Sequence, residues 1–337
     1  MTRRRIPTPS WERDHRGFGE NLSGSRGQLA ALGIIVVLII AALGVGGFAL
    51  FDKYYLTPHQ LPGSTALGVG DTKYSVREFT NRTKMFAAQL SGTTNAQIII
   101  PAMDQQLQRE AIELQFAGEK NVTASEDDIR KEIATTIGIT ADDPNFDTRF
   151  QEELKNDGLT EQQYRNMATA SVLSANLQAA FIAALAPTYD SIHYRQIVVA
   201  DQATADNLKL QIDGGADFAA LATANSNDTA TKTLGGDTGW TPRGYLTSTL
   251  ENLLFSLDTN QVITSPGTSS VTIYQMLEKD PAHAVDDTKK TKLGQNDFQK
   301  WASDKLAAVT VDDQMSLQTG NADKINYVFD HAALTAQ

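Results

Sequence analysis

The hydrophobic pattern of the chain begins with one long apolar segment. Residues 29–51 form a run of 23 residues without a charged side chain. At about 1.5 Å rise per residue, a helix of this length crosses the roughly 30 Å hydrocarbon core of a bilayer. Six arginines and three acidic residues precede the run, so the positive-inside rule keeps the N-terminus in the cytoplasm. The pattern predicts a transmembrane anchor at 28–51 behind a cytoplasmic tail at 1–27.

A cleaved signal peptide is the competing interpretation of this segment, because an apolar stretch behind arginines also describes a signal peptide. The run is longer than the about 7 to 15 apolar residues of a usual signal peptide. No small-residue cleavage motif lies near Phe51. We therefore expect an uncleaved anchor, with the lipid bilayer contacting residues 29–51 and the bulk of the chain outside the cytoplasm.

The next part of the chain is mostly helical in pattern. Residues 52–67 hold two prolines and few periodic apolar positions, which predicts a stalk. Over 68–187 the apolar residues recur at helical spacing. Ser125 precedes three acidic residues and a periodic segment, as an N-cap does, and a further helix is expected to start at Thr160. This stretch predicts a helical domain.

The pattern changes after residue 187. Ile192–Val199 is rich in β-branched and aromatic residues and predicts a strand, and Ala203–Ile212 predicts a helix. A glycine-rich loop is expected at Gly235–Trp240, and Val271–Leu277 predicts a closing strand. Strand, helices and strand within 188–281 indicate an α+β domain.

The composition limits which partners, catalytic groups and metal sites the chain can have. A net charge of -11, with no cluster of Lys and Arg beyond the first residues, argues against a nucleic-acid partner. The absence of cysteine excludes disulfides, thiolate nucleophiles and cysteine-based metal sites. His15, His59, His283 and His331 show no metal-ligand spacing, so we expect them to be solvated. Neither a metal nor a cofactor is expected.

Six short sequence blocks lie between Tyr189 and Asp280: Arg195–Val199, Gly215–Ala222, Ser226–Asp228, Gly235–Trp240, Arg243–Gly244 and Phe255–Leu257. In this order they resemble the parvulin family of peptidyl-prolyl isomerases. The helical region before them resembles the N-terminal chaperone segment of SurA- and PrsA-type foldases. In that architecture the C-terminal chain returns to the N-terminal helices, which implies that 282–337 is a helical extension with its returning helix at Phe298–Ala308.

The resemblance implies a site that needs no nucleophile and no metal. Rotation about an X–Pro bond faces a barrier of roughly 18 to 20 kcal/mol set by amide resonance. A site lowers it by holding the proline ring in an apolar pocket and stabilising the twisted amide better than the planar one. The family's pocket positions fall at Leu246, Leu250 and Thr238. Leu250 also lies on an apolar helix stripe, so a plain core role is the alternative for that residue.

The polar positions of the family's site depart from its usual residues. The acidic position falls at Asp228, which matches the bacterial form of the motif. The two histidines of the family correspond to Gln196 and Thr272, which can form a hydrogen-bonded pair across the strands. His193 does not replace Gln196, because an offset of three residues along a strand points to the opposite face.

Two function classes stay open on the sequence. The first is a membrane-anchored prolyl isomerase that assists the folding of unfolded or partly folded exported polypeptides. The second is a membrane-tethered holdase in which the parvulin-like domain is not catalytic. The histidine replacements and Thr238 favour the second, whereas Asp228 and the two leucines of the pocket favour the first.

Overall fold

The computed structural model describes residues 45, 47, 48, 50, 60–90 and 95–335. The chain divides into two compact units, Met1–Ser64 and Thr65–Gln337. The predicted tail at 1–27 lies outside the described residues, and so does most of the predicted anchor at 28–51. Within the part of the chain that the structure describes, no helix has both the length and the apolar composition needed to cross a membrane.

The second unit begins with a small antiparallel sheet. Strands β1 (Thr65–Val69) and β2 (Thr72–Ser75) form a hairpin, and β7 (Val311–Asp313) pairs with the other edge of β1. Gly70 opens the two-residue turn with a φ of 54°, which glycine adopts at little cost. Strand β1 thus begins inside the predicted stalk at 52–67, and β7 lies in the extension predicted to be helical. Both strands are too short for an alternating pattern to distinguish them from loops.

Five α-helices follow in the described residues between 76 and 183. They are α1 (Val76–Gln89), α2 (Ala96–Phe116), α3 (Glu126–Thr136), α4 (Phe146–Asp157) and α5 (Glu161–Ala183). Ser125 caps α3 by accepting the Asp128 N–H, as its position in the sequence predicts. Thr160 and Gln163 form a reciprocal capping box at the start of α5, which satisfies two backbone donors. Helices α3, α4 and the start of α5 enclose a small apolar cluster of their own.

The α+β part contains a four-stranded antiparallel sheet with the order β4-β3-β6-β5. Its strands are β3 (Thr188–Val199), β4 (Asp237–Pro242), β5 (Val262–Pro266) and β6 (Val271–Ala284). Its helices are α6 (Gln202–Asp213), α7 (Phe218–Asn225) and α8 (Ser248–Ser256). Because side chains alternate along a strand, Ile197 and Val199 face α6 and α7, whereas Ile192 and Tyr194 face α8.

This sheet has more strands than the sequence pattern indicates. The segment expected as a loop at Gly235–Trp240 becomes strand β4 from Asp237 onwards. Its glycines and Pro242 are typical of turns, but edge strands also tolerate them, so the sequence pattern predicts a loop. Strand β5 was not expected at all. Strand β6 continues beyond Leu277 to Ala284 through charged residues, because it pairs there with the start of β3.

Two α-helices follow the four-stranded sheet in the described residues, α9 (Asp287–Ala308) and α10 (Ala322–His331). Phe298 and Trp301 of α9 are buried in the main apolar cluster together with residues of β1, α1, α2 and α5. The Phe181 ring of α5 lies 5.9 Å from each of these two rings. Helix α9 is therefore part of the core of the helical domain.

A buried ion pair connects α1 and α2. Arg82 donates to both carboxylate oxygens of Glu110, at 2.7 and 2.5 Å, and the two side chains are 2% and 6% exposed. The Tyr74 hydroxyl donates to the same carboxylate at 3.3 Å. Removal of one partner from a buried pair leaves the other charge without compensation, so the pair fixes how these helices meet.

We expect Glu110→Gln to lower the free energy of unfolding by about 3 to 5 kcal/mol, because the Arg82 charge stays buried without its partner. Glu126→Gln is the matched control, since Glu126 pairs with Arg165 while 80% exposed, and we expect it to cost less than about 1 kcal/mol. Urea unfolding of the full-length chain, followed by circular dichroism, measures both. Equal midpoints for the two variants would contradict the structural role of the pair.

Candidate functional site

Gln196 lies in the middle of β3, on the face that α8 covers. Its backbone N–H donates to the Gly236 carbonyl at 2.8 Å. Its side-chain Nε2 donates to Asp228 Oδ2 at 2.7 Å. Gln196 is therefore held both by its backbone and by its side chain. Because a carboxylate only accepts hydrogen bonds, the NH₂ group of the side-chain amide must face Asp228.

The loop that carries Asp228 is tied to the same strand. Ser226 is 1% exposed, and its hydroxyl accepts the N–H groups of Val198 at 3.1 Å and of Asp228 at 3.2 Å. The Asn227 N–H donates to the Val198 carbonyl at 2.7 Å. These bonds give the loop a fixed position beside β3, which explains why Asp228 reaches Gln196.

The Asp228 carboxylate accepts two further hydrogen bonds besides the one from Gln196. Oδ2 accepts the Thr231 hydroxyl at 2.5 Å in addition to Gln196, and Oδ1 accepts the Ala230 N–H at 3.1 Å. The Thr231 hydroxyl, helped by Gln196 and against the effect of desolvation, lowers the pKa of Asp228. The side chain is thus an ionised acceptor at neutral pH.

Thr272 lies near Gln196 but bonds elsewhere. In the ladder of β3 and β6, Gln196 is opposite Tyr274 and Val198 is opposite Thr272. The side chain of Thr272 hydrogen-bonds that of Tyr274, while burial raises the pKa of the tyrosine. The expected hydrogen bond between Gln196 and Thr272 is absent, because Gln196 bonds Asp228 and Thr272 bonds Tyr274. Sequence reasoning missed this outcome because it does not give the position of the Asp228 loop.

Helix α8 and the segment before it form an apolar wall against β3 and β6. Leu246 and Leu250 are half-buried and pack against a cluster that includes Tyr194 and Tyr274. The two tyrosine rings meet edge to face with centroids 6.0 Å apart, and burial raises the pKa of Tyr194 to about 12. Each leucine keeps part of its surface free, so the wall can accept an apolar ring. Leu254, in contrast, is completely buried.

Thr238, the third predicted pocket residue, uses its hydroxyl for a hydrogen bond to the backbone of β3. Its hydroxyl donates to the Tyr194 carbonyl at 2.8 Å, beside an irregularity in the register of β3 and β4. Its hydroxyl therefore helps to join the two strands.

His193 belongs to a separate aromatic stack. It hydrogen-bonds Asp237 at 2.7 Å and lies with its ring 5.5 Å from Trp240. Trp240 stacks in turn on His283 with centroids 4.1 Å apart, and His283 bonds Asp280 at 3.2 Å. The expectation that His283 is merely solvated is therefore wrong. The sequence could not predict this stack, because its three residues are far apart along the chain and no local pattern connects them.

The chemistry that these groups permit is non-covalent. An ionised carboxylate, an amide donor and an apolar wall can bind, orient and polarise a peptide group. The described residues contain no group of three or more His, Cys, Asp or Glu side chains arranged to hold a metal ion.

Two family models match the chain. One describes a PPIC-type PPIase domain and matches residues 164–274. The other describes a SurA-like N-terminal domain and matches residues 25–178. The first match runs from α5 to the middle of β6 and includes the candidate site, and the second ends within α5.

The chain is also similar to curated foldases. Foldase protein PrsA of Caldanaerobacter subterraneus is 40% identical over 75 residues, which cover 22% of this chain and 24% of the relative. Foldase protein PrsA 2 of Bacillus anthracis is 27% identical over 150 residues, or 42% and 50% of the two chains. The chain therefore spans about a quarter to a half of the length of these relatives. A solved peptidylprolyl isomerase, PrsA from Bacillus anthracis, matches with a TM-score of 0.37 and 18% identity over 69% of this chain and 98% of that chain.

We expect Gly236→Ala to disturb the site more than a glycine substitution elsewhere. Gly236 has a φ of 79°, and a Cβ there would overlap the Gln196 carbonyl. Gly215 is the matched control, because its φ is 92° and nothing lies within 4 Å of its Cβ position. The control should lose about 1 to 2 kcal/mol from backbone strain alone. Thermal unfolding and the Gln196 amide resonance measure the difference; equal losses would show that the close approach to β3 is unimportant.

Proposed function

We propose that this chain is a peptidyl-prolyl isomerase that assists the folding of exported polypeptides. The proposal is supported by the match to a PPIC-type PPIase domain, by the SurA-like N-terminal domain before it and by the similarity to PrsA foldases. The observation that carries the proposal is the Gln196–Asp228 pair at β3, together with the half-buried Leu246 and Leu250, which pack against the cluster that contains Tyr194 of the same strand. Both features lie within the matched domain. We assign isomerisation to residues 188–281.

The geometry suggests how the residues act on a prolyl bond. Leu246 and Leu250 would bind the proline ring, which removes apolar surface from water. Resonance in the planar amide places negative charge on the carbonyl oxygen and is lost on twisting. A fixed carboxylate near that oxygen disfavours the planar amide, so Asp228 would lower the barrier by acting on the ground state more than on the twisted state. Gln196 positions the carboxylate and offers an amide for the polypeptide backbone.

A non-catalytic holdase is the second candidate. Gln196 and Thr272 occupy the positions of the family's histidines, and Thr238 uses its hydroxyl to bond β3. The SurA-like N-terminal domain supports polypeptide binding by residues 68–187 independently of isomerisation. The two candidates differ in whether the rate of prolyl rotation changes.

We expect Asp228→Ala and Leu246→Ala each to reduce the catalysed rate of X–Pro isomerisation by about tenfold or more. The first variant loses a charge-assisted hydrogen bond, and the second loses one wall of the proline pocket. Exchange NMR on X–Pro peptides with the full-length chain measures the rate. The matched controls are Asp213→Ala, on the surface of α6, and Leu210→Ala, where the leucine is 72% exposed; both should retain full activity.

A rate equal to the uncatalysed one in the unmodified chain would exclude the isomerase. Suppression of aggregation of an unfolded protein by the same sample would then favour the holdase. Activity that survives both site substitutions would instead place catalysis elsewhere in the chain.

We further propose that residues 29–51 anchor the chain in a bilayer, with the N-terminus cytoplasmic and the catalytic part outside. The proposal is supported by 23 uncharged residues behind six arginines. The chain contains no cysteine, so single cysteines report on topology without interference.

We expect a membrane-impermeant maleimide to label Ser269→Cys on intact cells and to label Ser10→Cys only after lysis. Ser269 is an exposed residue between β5 and β6, so its labelling does not require unfolding. Labelling of Ser10→Cys on intact cells would contradict the orientation. A mature chain that lacks the cysteine at position 10 would identify a cleaved signal peptide.

A further inference from the structure

A cavity of about 380 Å³ lies among α1, α2, α3 and α5, in the helical domain and not at the Gln196–Asp228 pair. Its apolar lining includes Met85, Phe86, Met103 and Met167. Methionine side chains are unbranched and flexible, so such a lining adapts to an aliphatic chain.

The cavity also contains a carboxylate with an unused acceptor. Glu113 is 3% exposed, and its buried Oε1 has no hydrogen-bond partner among the described residues. The Ser174 side chain hydrogen-bonds the same carboxyl group. This oxygen is closed off from solvent as well as unbonded, which is costly for a carboxylate, so the group gains when it turns toward a donor that arrives with a ligand.

The charged residues that line the cavity come from α1, α2 and α3 and are Arg82, Arg109, Glu110, Glu113 and Glu132. Arg82 and Glu110 neutralise one another through their two hydrogen bonds. The remainder is one exposed arginine and two carboxylates, which leaves a net negative charge when Glu113 is ionised. Helix α5 contributes only uncharged residues to the lining. An anionic ligand is therefore disfavoured and a cationic one favoured.

We propose that this cavity binds the side chain of a lysine within a bound polypeptide. The aliphatic stem packs against Met85, Met103 and Met167, and the ammonium group donates to the Glu113 carboxylate, which turns its unbonded oxygen into the cavity. Lysine combines an apolar stem with a head that only donates hydrogen bonds, which matches a cavity with methionines and an unpaired acceptor. The inference rests on the proposed function for the presence of a polypeptide, and it assigns a site separate from the one for isomerisation.

The protonation of Glu113 gives the site a pH dependence. Burial raises the pKa of Glu113 to about 7, so its proton is still largely bound at pH 6 and largely lost at pH 8. An ammonium group needs the ionised carboxylate as acceptor. Affinity for lysine should therefore increase as the pH rises through 7. The fold disfavours the ionised form in the empty cavity, so the stability of the ligand-free chain should decrease as the pH rises from 4.5, the ordinary pKa of a glutamate, to about 7, and change little above that.

The test uses the full-length chain in detergent micelles with 13C-labelled methionine methyl groups. The probe is a capped, proline-free pentapeptide with a central lysine, and its twin carries norleucine, which keeps the stem and removes the amine. We expect both to shift the methyl signals of Met85, Met103 and Met167, with about tenfold tighter binding of the lysine peptide at pH 8. At pH 6 this preference should shrink.

Two variants make the assignment specific. Glu113→Gln keeps the shape of the side chain and should abolish the preference for lysine, while an unchanged signal of the buried Met315 shows that the fold is intact. Glu119→Gln is the matched control, because Glu119 pairs with Lys305 and does not line the cavity; it should retain the preference.

Equal affinity for the two peptides, a preference that survives Glu113→Gln, or no methyl shift with either peptide would each overturn the lysine site. The peptides contain no proline, so none of these results depends on isomerase activity. X–Pro exchange measured on the same samples reports the proposed function separately.

Discussion

The antiparallel pairing of β3 with β6 is the interaction on which most of the structure depends. It extends from Thr188 opposite Ala284 to Val199 opposite Val271. The ladder creates two faces, one packed by α6 and α7 and the other by α8, and the second face carries Gln196. Because the outer ends of the two strands lie side by side, α5 and α9 connect to neighbouring points and meet in one core. One strand pair thus positions the site and joins two parts of the chain.

The sequence predicts those parts of the fold that have long periodic patterns or strong local signals. Helix α5 and the cap at Ser125 are of this kind, since hydroxyl and apolar positions determine them within a few residues. The α+β character of the second part follows from β-branched residues near Ile197. Strand β5 was missed although its partner β6 is adjacent in sequence, because a five-residue strand that ends in proline shows no clear alternating pattern. Strand β7 was missed because its partner β1 is distant in sequence. Local propensity carries no information about such partners.

The candidate site shows the same limit at the level of single residues. The family resemblance pointed to Asp228, Leu246 and Leu250, and the structure places the first on a loop tied to β3 and the two leucines against an apolar cluster of the same sheet. The bond from Gln196 to Asp228 was not available, because it requires the fixed loop that Ser226 holds. The orphan oxygen of Glu113 was equally hidden, since burial is a property of packed helices and not of a helical pattern.

The pairing of β7 with β1 has a consequence for the order in which the chain acquires structure. The helical domain consists of two segments separated by the whole α+β domain, and Lys324 Nζ donates to the Thr65 carbonyl at 2.6 Å across that separation. A chain made from its N-terminus has every strand of the larger sheet once Ala284 has emerged. The small sheet must wait for Val311–Asp313. The inserted domain can thus fold during synthesis, whereas the domain that starts first is the last to close.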